Sequence, residues 1–214
     1  MNNLLKVGGD IMESSLKGNI NRCRNSKKRL LNEIELILSK ITYINASVVF
    51  YKQLIKSKIN DPDKYSAGEN FFNSVLISYE SVITCELWKI YNPKEEKGSL
   101  YSILNLCENN KNLFESEYES NSYIYGLRVK IEEKDIKTLR TYRNKYFAHS
   151  DKKFFGKENK LLEEYSFNLD YFEDLNKYAI NVLSEIYEKI DNCSYCFNPN
   201  LLTGYDLYNI IRNL

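Results

Sequence analysis

The stretch KDIKTLRTYRNKYFAH, from Lys134 to His149, predicts a helix because it contains no glycine and no proline. At roughly 100° per residue, its apolar side chains form a single arc along one side of that helix. The arc consists of Ile136, Leu139, Tyr146 and Phe147. Arg143 falls inside it. Because a guanidinium stays charged and a buried charge requires partners, we expect this stripe to face a cleft or a subunit interface.

His149, the only histidine of the chain, ends this stretch. It lies about 240° around the helix from Arg143, so the two side chains do not share a helix face. Either the helix ends near Ala148 and turns, or a second copy of the helix completes a site. A histidine and an arginine together are the minimum set for metal-free phosphodiester chemistry, because imidazole titrates near neutral pH and a guanidinium binds phosphate oxygens.

The composition predicts one all-α domain with appendages, since only 3 prolines and 8 glycines occur in 214 residues. The sequence has no run of about eighteen apolar residues and no apolar block near its N-terminus, so we expect a cytoplasmic protein without a membrane span. The 5 cysteines are scattered and odd in number, which favours reduced thiols. Cys193 and Cys196 form half a zinc motif without a second half, so we expect no metal and no cofactor.

Charge is concentrated around the same stretch, although the whole chain has a net charge of only +1. Between Arg128 and Lys157, ten basic residues stand against four acidic ones, a local excess of six positive charges. Phosphate binding and a solvated helix face both explain this excess, and the two interpretations remain open. A second basic cluster is better explained as a solvated face. It comprises Arg22, Arg24, Lys27, Lys28 and Arg29.

The spacing of apolar residues predicts an antiparallel bundle of four to five helices. The expected helices are Ser26 to Ile59, Ala67 to Ile90, a short helix from the N-cap Ser99 to about Cys107, Tyr125 to His149, and Leu169 to Ile190. We expect a flexible basic segment over residues 1–25, a helical domain over residues 26–192, and a C-terminal tail over residues 193–214. A short helix within the tail is expected to begin at Tyr205.

The segment from Leu139 to Asp151 resembles a known signature. Arg143-Asn144 followed by His149 matches the R-N-x(4)-H form of the R-x(4–6)-H signature of HEPN domains. The flanking residues resemble the RNK-x-x-AH-x-D block of the abortive-infection U-type branch of that family. The segment from Trp88 to Cys107 is loosely similar to the same branch, and the resemblance extends over about Ser26 to Ile190.

This resemblance implies a four-helix bundle that forms a symmetric homodimer and acts as a metal-independent endoribonuclease, in the role of a toxin or phage-defence effector. The implied catalytic residues are Arg143, Asn144 and His149, which meet their counterparts of a second subunit in a composite cleft. RNA is the implied substrate. The side chains expected to contact it are Arg140, Lys145, Tyr146, Lys152 and Lys153.

An active toxin requires restraint, so an antitoxin or regulatory protein is a further expected partner. In a subset of HEPN toxins the residue two after the histidine is a tyrosine, the target of an adenylylating antitoxin. Here that residue is Asp151, so this form of regulation is not expected.

A second class of function remains open: a catalytically inactive HEPN-like module that binds RNA, nucleotide or a defence partner through the same cleft. In that case His149 is a structural residue at a helix C-terminus, where the helix dipole favours its charge. Arg143 would instead pair with Glu80 or Glu86 on the second long helix. Base stacking and packing both remain open for Tyr142 and Tyr146, and packing is favoured because tyrosines at helical spacing pack more often.

Overall fold

The computed structural model describes the backbone of residues 3–94, 97–114, 117–134, 136–147 and 167–191. Within them, it describes the side chains of residues 23–94, 97–114, 121–134, 136–144 and 167–191. Seven α-helices and no strands occur in these parts of the chain, which confirms the predicted all-α fold. The helices are α1 (Asn3–Asn60), α2 (Pro62–Ala67), α3 (Glu69–Tyr91), α4 (Leu100–Asn109), α5 (Glu117–Glu132), α6 (Ile136–Phe147) and α7 (Leu169–Asp191).

Helix α1 provides the longest side of the core. Its buried residues recur every three or four positions, as an amphipathic helix requires. They include Leu30, Ile34, Ile37, Leu38, Ile41 and Ile44. The predicted start at Ser26 is wrong, because the helix begins at Asn3 and no proline between these positions interrupts it. The expected flexibility of residues 1–25 stays a prediction.

By length and composition alone, the part of α1 from Cys23 to Asn60 is a candidate to cross a membrane. This is weak support for a membrane span, because a core helix meets the same criterion and half of the most apolar window is buried within the bundle. The expected absence of membrane association stays a prediction.

The chain breaks where the sequence predicts, between α1 and α3. Asp61 lies outside the helices, and Pro62 begins the short helix α2, a position that proline tolerates. Helix α3 then begins at Glu69, two residues after the predicted start at Ala67, and ends at Tyr91, one residue after the predicted end. Proline and aspartate therefore predicted the location of the turn within a few residues.

Ser99 caps helix α4 as predicted. Its hydroxyl accepts a hydrogen bond from the Ser102 amide at 3.0 Å, and the Ser102 hydroxyl accepts one from the Ser99 amide at 3.1 Å. This reciprocal capping box satisfies two amides that the first helical turn leaves without partners. Gly98 precedes the cap with a φ of 70°, a conformation that glycine adopts without strain.

The predicted single helix from Tyr125 to His149 is wrong, because two helices occupy this region. Helix α5 ends at Glu132, where the Lys134 amide closes the last turn onto the Ile131 carbonyl at 3.2 Å. Helix α6 then begins at Ile136. In a continuous helix Ile131 and Leu139 would lie about 80° apart, whereas the turn lets both point fully into the core.

Ion pairs at opposite ends of the bundle show that α1 and α7 are antiparallel. Lys52 near the end of α1 contacts Glu173 near the start of α7 at 2.8 Å. Lys27 contacts Asp191, the last residue of α7, at 2.8 Å. The pairs are partly exposed and contribute little to stability, but their positions show the relative direction of the two helices.

Helices α1 and α3 are also antiparallel, and a buried polar contact joins them. The Tyr51 hydroxyl donates a hydrogen bond to the Glu80 carboxylate at 2.9 Å, and both residues are more than nine-tenths buried. Toward the other end of α3, the Tyr91 hydroxyl donates to the Leu175 carbonyl at 2.6 Å and ties α3 to α7. Such bonds satisfy polar groups that would be costly to bury alone.

Candidate functional site on helix α6

Helix α6 carries the first half of the predicted motif, and its charge is entirely positive. It contains four basic residues and no acidic one. Three of these bases have described side chains, and all three are exposed: Lys137, Arg140 and Arg143. Lys137 lies in the first turn, where the helix dipole does not favour a cation, and four bases without a carboxylate give α6 a net positive charge.

The buried side of α6 is centred on Leu139 and Tyr142. Leu139 is fully buried, and Tyr142 packs edge-on against Phe172 of α7 with ring centroids 5.3 Å apart. The expected stripe with Arg143 in its middle is therefore shifted, and Arg143 lies at its exposed border. Burial raises the pKa of Tyr142 despite an opposing hydrogen bond to the Asn168 backbone, so its phenol is a protonated packing group, as expected.

Tyr171, near the start of α7, holds the first turn of α6 in place. The Leu139 amide donates a hydrogen bond to the Tyr171 hydroxyl at 3.1 Å. This amide belongs to the first four of α6, which lack carbonyl partners within the helix. Asn168 in turn accepts a hydrogen bond from the Tyr171 amide at 3.2 Å, and so fixes the start of α7.

Two neighbours hold the guanidinium of Arg143. Its Nη1 donates a hydrogen bond to the Asn144 side-chain oxygen at 2.9 Å. Its Cζ lies over the indole ring of Trp88 on α3, 5.8 Å from the ring centroid, which is within cation–π range. Among the described side chains, no carboxylate forms an ion pair with Arg143. Within the described part of the chain, the guanidinium is thus oriented without being paired with a carboxylate.

The positive charge of Arg143 also acts on the thiol of Cys85, which lies one turn before Trp88 on α3. Burial raises the pKa of this thiol from 9.0 to about 11, while Lys89 and Arg143 lower it and Glu86 raises it. Cys85 is therefore a protonated, weakly reactive group at neutral pH. Its coupling to Arg143 supports the close approach of α6 and α3 at this point.

The structure does not show the carboxylate partners considered for Arg143. Glu80 accepts its hydrogen bond from Tyr51, and Glu86 forms an ion pair with Lys89 at 2.6 Å. Trp88 is the partner that sequence reasoning missed. Its only signal was that the chain has a single tryptophan, located in the segment that loosely resembles the same HEPN branch.

Of the predicted site, the structure brings together Arg143 and Asn144, with Arg140 one turn earlier on the same exposed side. Lys145 and Tyr146 lie in α6, but only their backbone is described. His149, Lys152 and Lys153 lie outside the described residues, as do Cys193 and Cys196. The roles expected for these side chains stay predictions.

The local charge excess does not all belong to one surface. Arg128 on α5 is held by Glu108 at 2.9 Å and by Asn105 at 3.0 Å. Lys134 lies over the ring of Tyr178, 4.4 Å from its centroid. Among the described side chains of this stretch, the exposed bases are Lys130 on α5 and Lys137, Arg140 and Arg143 on α6. In the second basic cluster, Lys27 is paired with Asp191, which fits a solvated face.

Among the described side chains, no group of three histidine, cysteine, aspartate or glutamate residues is arranged to hold a metal ion. Cys23, Cys85 and Cys107 are free thiols, which agrees with the expected reduced state.

The model of the HEPN family HEPN_AbiU2, described as AbiU2, matches residues 25–201. The matched region contains the whole motif as well as α3, α6 and α7. The curated proteins and the solved structures contain no match to this chain.

Proposed function

The chain belongs to the AbiU2 family of HEPN domains, and from this premise we propose that it is a metal-independent endoribonuclease acting as a toxin or phage-defence effector. The supporting observation is the state of Arg143. Its guanidinium is exposed and held by Asn144 and Trp88, without an ion pair to any described carboxylate. A positive group held in this way is suited to bind a phosphate through bidentate hydrogen bonds.

The proposed reaction requires a base, an acid and a cation. A base removes the proton of a ribose 2′-hydroxyl, whose oxygen attacks the adjacent phosphorus. The bond from phosphorus to the 5′-oxygen breaks, and an acid donates a proton to that oxygen. The products carry a 2′,3′-cyclic phosphate and a 5′-hydroxyl, and the step consumes no water.

His149 serves as acid or base in this scheme because its imidazole titrates near neutral pH. Arg143 stabilises the negative charge that develops on the phosphorane oxygens. Asn144 accepts a hydrogen bond from Arg143 and thereby orients its guanidinium. The two His149 side chains of a symmetric homodimer would divide the roles of acid and base.

RNA would approach the exposed basic side of α6. Arg140 is exposed there, and Lys145 belongs to the same helix. We include Tyr146, Lys152 and Lys153 in this surface on the basis of the sequence. A cytoplasmic location, the absence of a cofactor and restraint by an antitoxin or regulatory protein complete the proposal.

The test is cleavage of total cellular RNA by the purified protein in the presence of EDTA. We expect cleavage by the wild-type protein and a loss of at least about a hundredfold in His149→Ala and Arg143→Ala, the range for removing a general acid–base or an oxyanion-stabilising group. Arg24→Ala is the matched control, since it removes an equal charge from an exposed position on α1. Equal activity in all four proteins would contradict the assignment.

The alternative function is a catalytically inactive module that binds RNA through the same surface. The exposed guanidinium favours it too, because binding a phosphate needs no histidine. In that case the wild-type protein binds RNA without cleaving it. His149→Ala then binds as well as the wild type, while Arg143→Ala binds more weakly.

A further inference from the structure

Trp88 lies in the last turn of α3, on the side that faces α6. It is partly buried and packs against the main core, while its neighbours Leu87, Ile90 and Tyr91 are completely buried. The ring therefore rests on a fully buried, close-packed part of the core. A side chain that packs on this ring is held at a defined position relative to the core.

The two contacts of Arg143 restrain different parts of its guanidinium. The Trp88 ring lies against the group at 5.8 Å, and the Asn144 oxygen takes one N–H of Nη1 at 2.9 Å. No described side chain binds the N–H groups of Nε or Nη2. As far as the described residues go, a planar guanidinium held in this way leaves one edge, with two parallel donors, open to an oxyanion.

We propose that Trp88 is a positioning residue, which holds Arg143 so that the open edge of its guanidinium meets a phosphodiester of RNA. The inference rests on the proposed ribonuclease function. Arginine side chains lose considerable rotamer freedom when they bind, and a preformed contact removes part of that cost before the substrate arrives. Trp88 acts through Arg143 and does not touch the reacting atoms.

Intrinsic fluorescence tests the contact itself, because Trp88 is the only tryptophan of the chain. Tryptophan emission is compared between the wild type, Arg143→Ala and the matched control Arg140→Ala, with circular dichroism as a check on folding. We expect Arg143→Ala to change the intensity and wavelength of the emission and Arg140→Ala to leave both unchanged. Emission unchanged in Arg143→Ala would overturn the proposal.

Kinetics test the positioning role. Trp88→Phe keeps an aromatic face, whereas Trp88→Leu keeps only apolar volume. We expect Trp88→Phe to retain kcat within about threefold and Trp88→Leu to lose about tenfold in kcat with little change in KM, in keeping with the strength of a cation–π contact. Equal losses in both variants would assign Trp88 to packing and overturn the proposal.

The two experiments also separate this inference from the proposed function. A wild-type protein that does not cleave RNA contradicts the ribonuclease, and the emission of Arg143→Ala then still decides whether Trp88 holds Arg143. A wild-type protein that cleaves RNA, combined with a fully active Trp88→Leu, refutes only the positioning role.

Discussion

At the contact between α3 and α6, burial and nearby charges together set the pKa of Cys85. Arg143 and Lys89 lower the pKa of the Cys85 thiol, yet burial is the larger effect and the pKa is raised to about 11. The neutral thiol is therefore favoured in the folded state. Its contribution to stability is fully present below pH 9.0, the ordinary pKa, and is lost as the pH rises toward about 11.

This pKa predicts that Cys85 reacts slowly with iodoacetamide. Near a pH of about 8, its thiolate population is about a hundredfold below that of an unperturbed thiol, so its alkylation should be slower by about the same factor. Mass spectrometry of the peptide that contains Cys85 measures the rate, and the denatured protein is the control in which the difference disappears. Alkylation in the folded protein as fast as in the denatured protein would argue against the buried thiol.

At the scale of helices, the position of α6 depends on contacts to residues far away in sequence. The hydroxyl of Tyr171 accepts a hydrogen bond from the Leu139 amide, and its ring packs edge-on against Phe172 with centroids 5.2 Å apart. The first contact orients the helix that presents Arg143, while the second keeps the tyrosine in place. Only the first depends on the hydroxyl.

Tyr171→Phe should therefore lower the free energy of unfolding by about 1 kcal/mol, because the Leu139 amide loses its acceptor while the ring packing remains. Urea denaturation measures the loss, and hydrogen exchange at the Leu139 amide should accelerate. Tyr125→Phe is the matched control, since Tyr125 is 70% exposed on α5. A Tyr171→Phe protein as stable as this control would contradict the anchoring role of the hydroxyl.

The sequence predicted the helix ends that depend on residues within one helical turn. The Ser99 cap, the break at Asp61 and Pro62, and the helix beginning at Leu169 all follow from residues within one turn. The turn between α5 and α6 has no glycine or proline, so the periodic pattern appeared continuous. That turn exists because separate helices bury Ile131 and Leu139 better than one helix does.

The candidate site was predictable only in part, for the same reason. Arg143 and Asn144 are adjacent in sequence and belong to a recognisable motif. Trp88 lies 55 positions before Arg143, and only the packing of α6 against α3 brings the two together. Single-sequence reasoning identifies the residues of a motif, but it does not identify a partner that the tertiary fold supplies.

At the scale of the whole molecule, one chain supplies only half of the proposed catalytic cleft. The motif contains a single histidine, while the reaction requires both an acid and a base. A symmetric pair of chains would supply two histidines and two arginines. The proposal therefore predicts a homodimer as the active species.

Sedimentation equilibrium should give twice the chain mass of 25.3 kDa at the concentrations at which the protein is active. An excess of His149→Ala protein, equilibrated with the wild type, should suppress cleavage because mixed dimers lack one histidine. An equal excess of Arg24→Ala protein serves as the control that does not suppress it. Cleavage that remains proportional to the wild-type chain alone would argue against the composite cleft.

The chemistry of the product ends tests the central claim most directly. RNA cleaved by the wild-type protein in EDTA is analysed by mass spectrometry, with His149→Ala in parallel. We predict fragments that carry a 2′,3′-cyclic phosphate at one end and a 5′-hydroxyl at the other, and no such fragments with the variant. Fragments with 5′-phosphates, or the same cyclic phosphates in His149→Ala, would contradict a reaction by 2′-hydroxyl attack at a site built on Arg143 and His149.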